Sequence, residues 1–347
     1  MGLSNITINF QEPDKVYLPG DTVGVTVTVV NGKPMNARSV KLIVEGFSET
    51  EKFLSWNHQL VYRQTKLLWV SDSSKNQMPV GTFDYEYEFK LPNSIAPTLN
   101  LKNGRNIHRV IVEVDRPWRE KSRKDKEFTV TKKLGKEYLP VYNHNMVWEQ
   151  NIQSGLIFSD GTIQAKFVTP SQVFKAGQTF DTEVTLNNTS GNAIKSVEFT
   201  LFRHTHFHKK WQPTPCTNSF KCHLPNSEQF YTYGRYGKVE KHKTPVAPYT
   251  EGKFKIPFTI PAEATAPSFA SGMMTHGYLL VAHIQVKGAI TLSSHLRIYI
   301  GDGVEGEDAQ KKVVEKTEKK KVAEKTTTKK EENTEEEEAP PSYSSCT

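Results

Sequence analysis

The chain has 347 residues, 36% of them hydrophobic, and a formal net charge of +7, which is enough for two domains with cores of their own and a tail. Its three cysteines, Cys216, Cys222 and Cys346, are too few and too unevenly spread for a disulfide framework, and no apolar run approaches the length that crosses a bilayer. Met1-Gly2-Leu3-Ser4-Asn5-Ile6 lacks the basic and apolar regions of a secretory signal, and Ile6 stands where a myristoylation motif needs Ser or Thr, so a cytoplasmic protein is expected.

In chain order, the first readable unit is Val16-Tyr17-Leu18-Pro19-Gly20-Asp21-Thr22-Val23, a turn leading into Val23, Val25, Val27 and Val29 and then into Val40, Leu42 and Val44. Apolar residues alternating with polar ones at period 2 predict strands with one face on a core. Further on, Arg116, Arg119, Lys121, Arg123, Lys124, Lys126, Lys132 and Lys133 crowd the segment around Trp118. This density suits anionic groups such as inositol phospholipid headgroups or a phosphorylated cargo tail, and it equally suits a solvated hairpin loop.

The opening unit returns as Val173-Phe174-Lys175-Ala176-Gly177-Gln178-Thr179-Phe180, displaced by 157 residues. Phe180, Thr182, Val184 and Leu186 repeat the first alternation, and Val197, Phe199 and Leu201 the second. His204, His206 and His208 alternate, so in a strand all three point to one side, with Cys216, Cys222 and His223 nearby. Zinc accepts these ligand types, but no C-x-x-C pair is present. The reading is therefore a solvent-facing stripe at the edge of an inserted loop, with neither metal nor cofactor. Phe258-Thr259-Ile260-Pro261 echoes Phe89-Lys90-Leu91-Pro92 at a displacement of 169, so the second copy has gained about 12 residues, as surface loops do.

Gly301-Asp302-Gly303-Val304-Glu305-Gly306 matches G-x-G-x-x-G, but a dinucleotide site needs a following helix and a second parallel strand, and a Lys/Glu tract follows instead. These glycines read as the exit of a last strand into a linker. Residues 305–347 hold nine lysines against twelve acidic residues, a net charge of −3, which leaves +10 on the rest. That balance attracts anionic surfaces, and no nucleic-acid-binding motif accompanies it. The tail buries nothing and is expected to be disordered. It ends in Pro340-Pro341-Ser342-Tyr343, a P-P-x-Y peptide whose prolines pre-set polyproline II, the form that aromatic grooves of WW domains bind. No G-x-S-x-G, P-loop or H-E-x-x-H motif is present, so no enzyme is expected.

A repeat of about 160 residues is too long for a solenoid and fits duplicated domains. The expected fold is all-β: one sandwich over residues 1–150, a second over 151–303, and a disordered charged tail over 304–347. Ile6-Thr7-Ile8-Asn9-Phe10 with Tyr17-Leu18-Pro19-Gly20-Asp21-Thr22-Val23 resembles the start of an arrestin N-terminal domain. Val110-Ile111-Val112-Glu113-Val114-Asp115-Arg116-Pro117-Trp118 with Lys126-Glu127-Phe128-Thr129-Val130 resembles the end of that domain in α-arrestins, and Gly161-Thr162-Ile163-Gln164-Ala165-Lys166 resembles the start of the C-terminal domain. The resemblance implies two tandem arrestin-type, immunoglobulin-like sandwiches. It also implies an adaptor that links transmembrane cargo to a WW-domain ubiquitin ligase of the Nedd4 type through Pro340, Pro341 and Tyr343, recruited from the cytoplasm to plasma membrane and endosomes. The alternative within the wider clan is a ligase-independent sorting scaffold like the arrestin-fold subunits of retromer.

Overall fold

A computed structural model describes residues 5–306 apart from 53–54, 73–75, 118–121, 143, 155–159, 219 and 289–290. Ten strands build the first half: β1 (Asn5–Phe10), β2 (Thr22–Asn31), β3 (Met35–Asn36), β4 (Ser39–Lys52), β5 (Ser55–Val70), β6 (Gln77–Met78), β7 (Gly81–Lys90), β8 (Leu99–Leu101), β9 (Gly104–Asp115) and β10 (Ser122–Phe128). Ten more build the second: β11 (Met146–Ser154), β12 (Gly161–Thr169), β13 (Val173–Phe174), β14 (Thr179–Asn188), β15 (Ile194–His208), β16 (Gln229–Val246), β17 (Thr250–Thr259), β18 (Phe269–Ala270), β19 (Met274–Val286) and β20 (Leu292–Ile300).

In the first half the sheet β1-β2-β7 packs on the sheet β10-β9-β4-β5; in the second, β11-β12-β14-β17 packs on β13-β20-β19-β15-β16. The period-2 pattern accounts for both cores. Val23, Val25, Val27 and Val29 point inward from β2 to meet Val40, Leu42 and Val44 from β4, and all seven are fully buried. Thr182, Val184 and Leu186 on β14 and Val197, Phe199 and Leu201 on β15 occupy the same places in the second core, where Phe199 meets Phe167 and Phe258 ring to ring.

The duplication extends to the turns. Gly20 and Gly177 both take a left-handed backbone, φ +86° and +76°, which costs glycine nothing. Next to them the Asp21 carboxylate accepts the Leu18 N–H at 2.8 Å, and the Gln178 side-chain carbonyl accepts the Lys175 N–H at 2.8 Å. Each turn then holds the end of the partner strand: Leu91 N–H donates to Asp21 O and Ile260 N–H to Gln178 O, both at 2.9 Å.

The sandwiches meet through side chains of both halves. Leu99 and Leu101, with Ala96, meet Phe207, Phe269 and Met274 in a small apolar cluster. Beside it the Thr50 hydroxyl donates to His208 O at 2.8 Å. The connecting segment is strapped to the second sandwich, where Leu134 forms a parallel bridge with Val304 and packs on Val173. Gly104 permits the close approach, because a Cβ there would lie 2.4 Å from the Phe207 ring and 3.1 Å from Glu49 O. Gly104→Val should therefore loosen the junction by about 1–3 kcal/mol and leave both cores intact. Solution scattering should report a larger radius of gyration with unchanged circular dichroism; identical scattering curves would refute the role of this contact.

Candidate functional site

The outward face of the β10-β9-β4-β5 sheet is built from charges set by register. Glu45 on the central strand β4 stands opposite Arg63 on β5 and Arg109 on β9. Its carboxylate accepts from both guanidinium groups, at 2.6 Å from Arg63 and 2.7 Å from Arg109. Arg123 on the edge strand β10 stands 3.9 Å away. Four residues on, Glu49 repeats the arrangement between Arg105, at 2.6 Å, and His58, at 2.9 Å. Burial pushes both carboxyl groups up, but the hydrogen bonds and charges of their partners outweigh it and leave both below the ordinary value of 4.5. Arg109 also lies over the Phe47 ring and Arg105 over Trp56, which fixes the guanidinium planes. The face thus displays arginines already ordered by carboxylates. Sequence reading missed Glu45, Glu49, Arg63 and Arg109 because their pairing runs across strands 18 and 64 residues apart in the case of Glu45.

Of the eight cations expected to act together, the six that are described stand apart from one another. Arg123 joins the Glu45 group, whereas Lys126 lies on the other side of β10, donating to Ile8 O at 3.1 Å with its ammonium over Phe10. Lys124 is exposed on that same strand. Arg116 donates to the Ser122 hydroxyl at 3.5 Å. Lys132 lines a cavity of about 260 Å³ that Ile95 and Ala96 share with Trp211 and Pro215 of the second sandwich. Lys133 lines a separate cleft of about 790 Å³ between the sandwiches, opposite Arg203, Tyr236 and Asp302. Arg119 and Lys121 lie outside the described residues, as do Pro340, Pro341 and Tyr343.

The histidine stripe is corrected in one respect. His204, His206 and His208 do share one face of β15, but that face is covered, and they are 1%, 0% and 0% exposed. The cover is the segment from Lys209 to Glu228, which folds back over the strand. Phe220 stacks on His204 at 4.4 Å, nearly parallel, and Cys216 and Cys222 come to the ends of His206 and His208. Burial pushes His204 down to about 4 and lowers His208 as well, disfavouring the charged form of both rings. The glycine run follows β20, which pairs antiparallel with β19 and briefly parallel with β13, and Gly303 O accepts from Leu134 N–H at 2.9 Å, so it closes the strap described above.

Residues 6–137 match the family described as Arrestin (or S-antigen), N-terminal domain, and residues 159–303 match Arrestin (or S-antigen), C-terminal domain. A search of curated proteins finds no match to the chain. Among the described residues no helix is long and apolar enough to cross a membrane.

The Glu45 group makes a pH-dependent contribution. Because its folded pKa lies below the unfolded one, the stabilisation is present above the unfolded pKa and is lost as pH falls through the folded pKa. Glu45→Gln should cost about 1–3 kcal/mol near neutral pH, toward the lower end because Arg63 is half exposed. In urea titrations the gap between wild type and variant should close toward acid. A gap that is constant between neutral and strongly acidic pH would contradict the assignment.

Proposed function

The chain belongs to the arrestin-domain family, and on that premise we propose that it is a non-enzymatic adaptor carrying membrane-protein cargo to a WW-domain ubiquitin ligase of the Nedd4 type, for endocytosis and endosomal sorting. Arrestin-fold domains have adaptor and trafficking roles. The observation that carries the finer reading is the order of parts: two arrestin sandwiches, a charged tract and a closing P-P-x-Y peptide. Pro340 and Pro341 restrict the peptide to an extended, preorganised form, so little entropy is lost when a WW groove takes the prolines and Tyr343 fills the neighbouring pocket. A tether raises the concentration of bound ligase near whatever the sandwiches hold without fixing its orientation, which suits transfer to lysines in varied positions.

The sandwiches supply the cargo or lipid contact. The arginines held around Glu45 and Glu49, with Arg123 at the sheet edge, offer a cationic face to phosphorylated cargo tails or acidic phospholipids. Arg116 and Lys124 add positive charge on β9–β10, Lys126 adds it on the other side of β10, Lys132 and Lys133 add it at the interdomain clefts, and Arg119 and Lys121 belong to the same basic stretch of sequence. Recruitment from cytoplasm to plasma membrane and endosomes follows from these two kinds of contact.

Fluorescence anisotropy of a labelled peptide covering residues 334–347 should show binding to Nedd4-type WW domains that falls at least about tenfold on Tyr343→Ala. In cells, removal of residues 338–347 should abolish ligase-dependent ubiquitination of cargo. Retention of ubiquitination after that deletion would reject the ligase link and leave a sorting scaffold. Charge reversal by Arg123→Glu with Lys124→Glu should weaken pelleting with phosphoinositide vesicles and flatten its salt dependence; unchanged pelleting would return the hairpin to a solvated role.

A further inference from the structure

The covered face of β15 holds a set of side chains that an adaptor role does not call on. His206 and His208 project from it two residues apart, and Cys216 and Cys222 reach them from the segment folded above, so that one ligand atom from each lies within 4.8 Å of all the others. The Cys216 and Cys222 sulfurs are 3.5 Å apart, and Cys222 Sγ is 3.6 Å from His208 Nε2. Tetrahedral zinc with its usual Zn–S and Zn–N lengths requires S···S about 3.8 Å, S···N about 3.5 Å and N···N about 3.3 Å. These two edges already stand within about 0.3 Å of those values, and the widest separation, at most 4.8 Å, needs to close by about 1.3–1.5 Å. We propose that His206, His208, Cys216 and Cys222 bind one zinc ion, which staples the segment from Lys209 to Glu228 onto β15 beside the junction of the two sandwiches.

The surroundings have the features of a ligand shell. His208 Nδ1 lies 2.8 Å from Gly272 O. A carbonyl only accepts, so Nδ1 carries the proton and Nε2 presents its lone pair to the site. His223 Nδ1 approaches Cys216 Sγ at 3.0 Å, and Leu224 N–H donates to Cys222 Sγ at 3.4 Å. Each sulfur therefore has a nitrogen neighbour able to stabilise a thiolate. The Thr275 hydroxyl donates to Cys216 O at 2.6 Å and holds the first sulfur ligand over the strand. Two thiolates and two imidazoles with no open position form a structural donor set, and softness and geometry together select zinc over magnesium or calcium.

His204 is excluded as a ligand because its ring lies flat between Phe220 and Tyr231, at 4.4 and 5.2 Å. It acts as a clamp, and the Arg297 guanidinium 5.1 Å from Phe220 closes the stack from the other side. The staple has a consequence for the whole molecule. The same segment carries Trp211 and Pro215 into the cavity shared with the first sandwich, and His208 O receives the Thr50 hydroxyl across the junction.

The test uses the full chain, purified without a histidine tag from zinc-supplemented culture. Elemental analysis should give one zinc per chain in wild type and in His204→Phe, and none in Cys216→Ser with Cys222→Ser. Cobalt exchanged into wild type should give the intense visible bands of a tetrahedral site with a thiolate charge-transfer band in the near ultraviolet. That spectrum decides the matter should the double variant fail to fold. Chelation should accelerate proteolysis within residues 209–228. Zinc no higher in wild type than in the double variant, a cobalt spectrum without thiolate charge transfer, or a Cys216–Cys222 disulfide in non-reducing mass spectrometry would each overturn the site. Proteolysis indifferent to chelation would overturn the staple.

Discussion

The two faces of β15 set most of what is distinctive in this chain. Over its first half the strand carries Val197, Phe199 and Leu201 in the second core, while Lys195 is exposed and Glu198 half-buried on the other face. Over its last five residues, His204 to His208, every side chain is buried on both faces. The strand is hydrogen-bonded to β16 and β19 along both edges, so its register cannot slip, and a slip of one residue would exchange the two faces. With register fixed, Phe207 must enter the apolar contact between sandwiches and His206 and His208 must face the opposite way. One strand therefore specifies the domain junction and the imidazole pair at once, and a change on one face is felt on the other.

Register does the same for the charged face of the first sandwich. The carboxylates of Glu45 and Glu49 lie on a central strand, where an unpaired charge would be costly. Cross-strand neighbours on both sides supply cations directly opposite, which is how a sheet accommodates buried charge without a helix dipole or a metal. The arginines gain as much as the glutamates, since held by a carboxylate and an aromatic ring they are presented in fixed geometry. Oriented guanidinium groups are better prepared for a phosphate or carboxylate than free lysines on a loop.

Much of the fold was legible in the residues. Alternation identified β2, β4, β14 and the first half of β15, and the displacement of 157 paired Gly20 with Gly177 and Asp21 with Gln178, positions that proved to be equivalent turns. The sidedness of His204, His206 and His208 was also legible, because period 2 is a local property. Their burial was not. It depends on a segment following the strand that returns to cover it, and nothing in local sequence says where a long loop lands. Cys216 and Cys222 lack the C-x-x-C signature, and what brings both beside β15 is the path of the covering segment, held by Thr275 and Phe220. The crowding of Arg116 to Lys133 looked like one patch because linear density hides the fact that successive strand residues point to opposite sides, so Arg123 and Lys126 part company.

The junction gives the adaptor reading a mechanical sense. Gly104 against Phe207 fixes one side of the junction, and the strap of Leu134 on Val304 fixes the other. The strap draws the linker, the β13 turn and the stretch after β20 into one apolar cluster of Leu134, Val173 and Val304, so the entry and the exit of the second sandwich are held together. The contact that closes the last strand therefore also anchors the linker on which the placement of the two sandwiches depends.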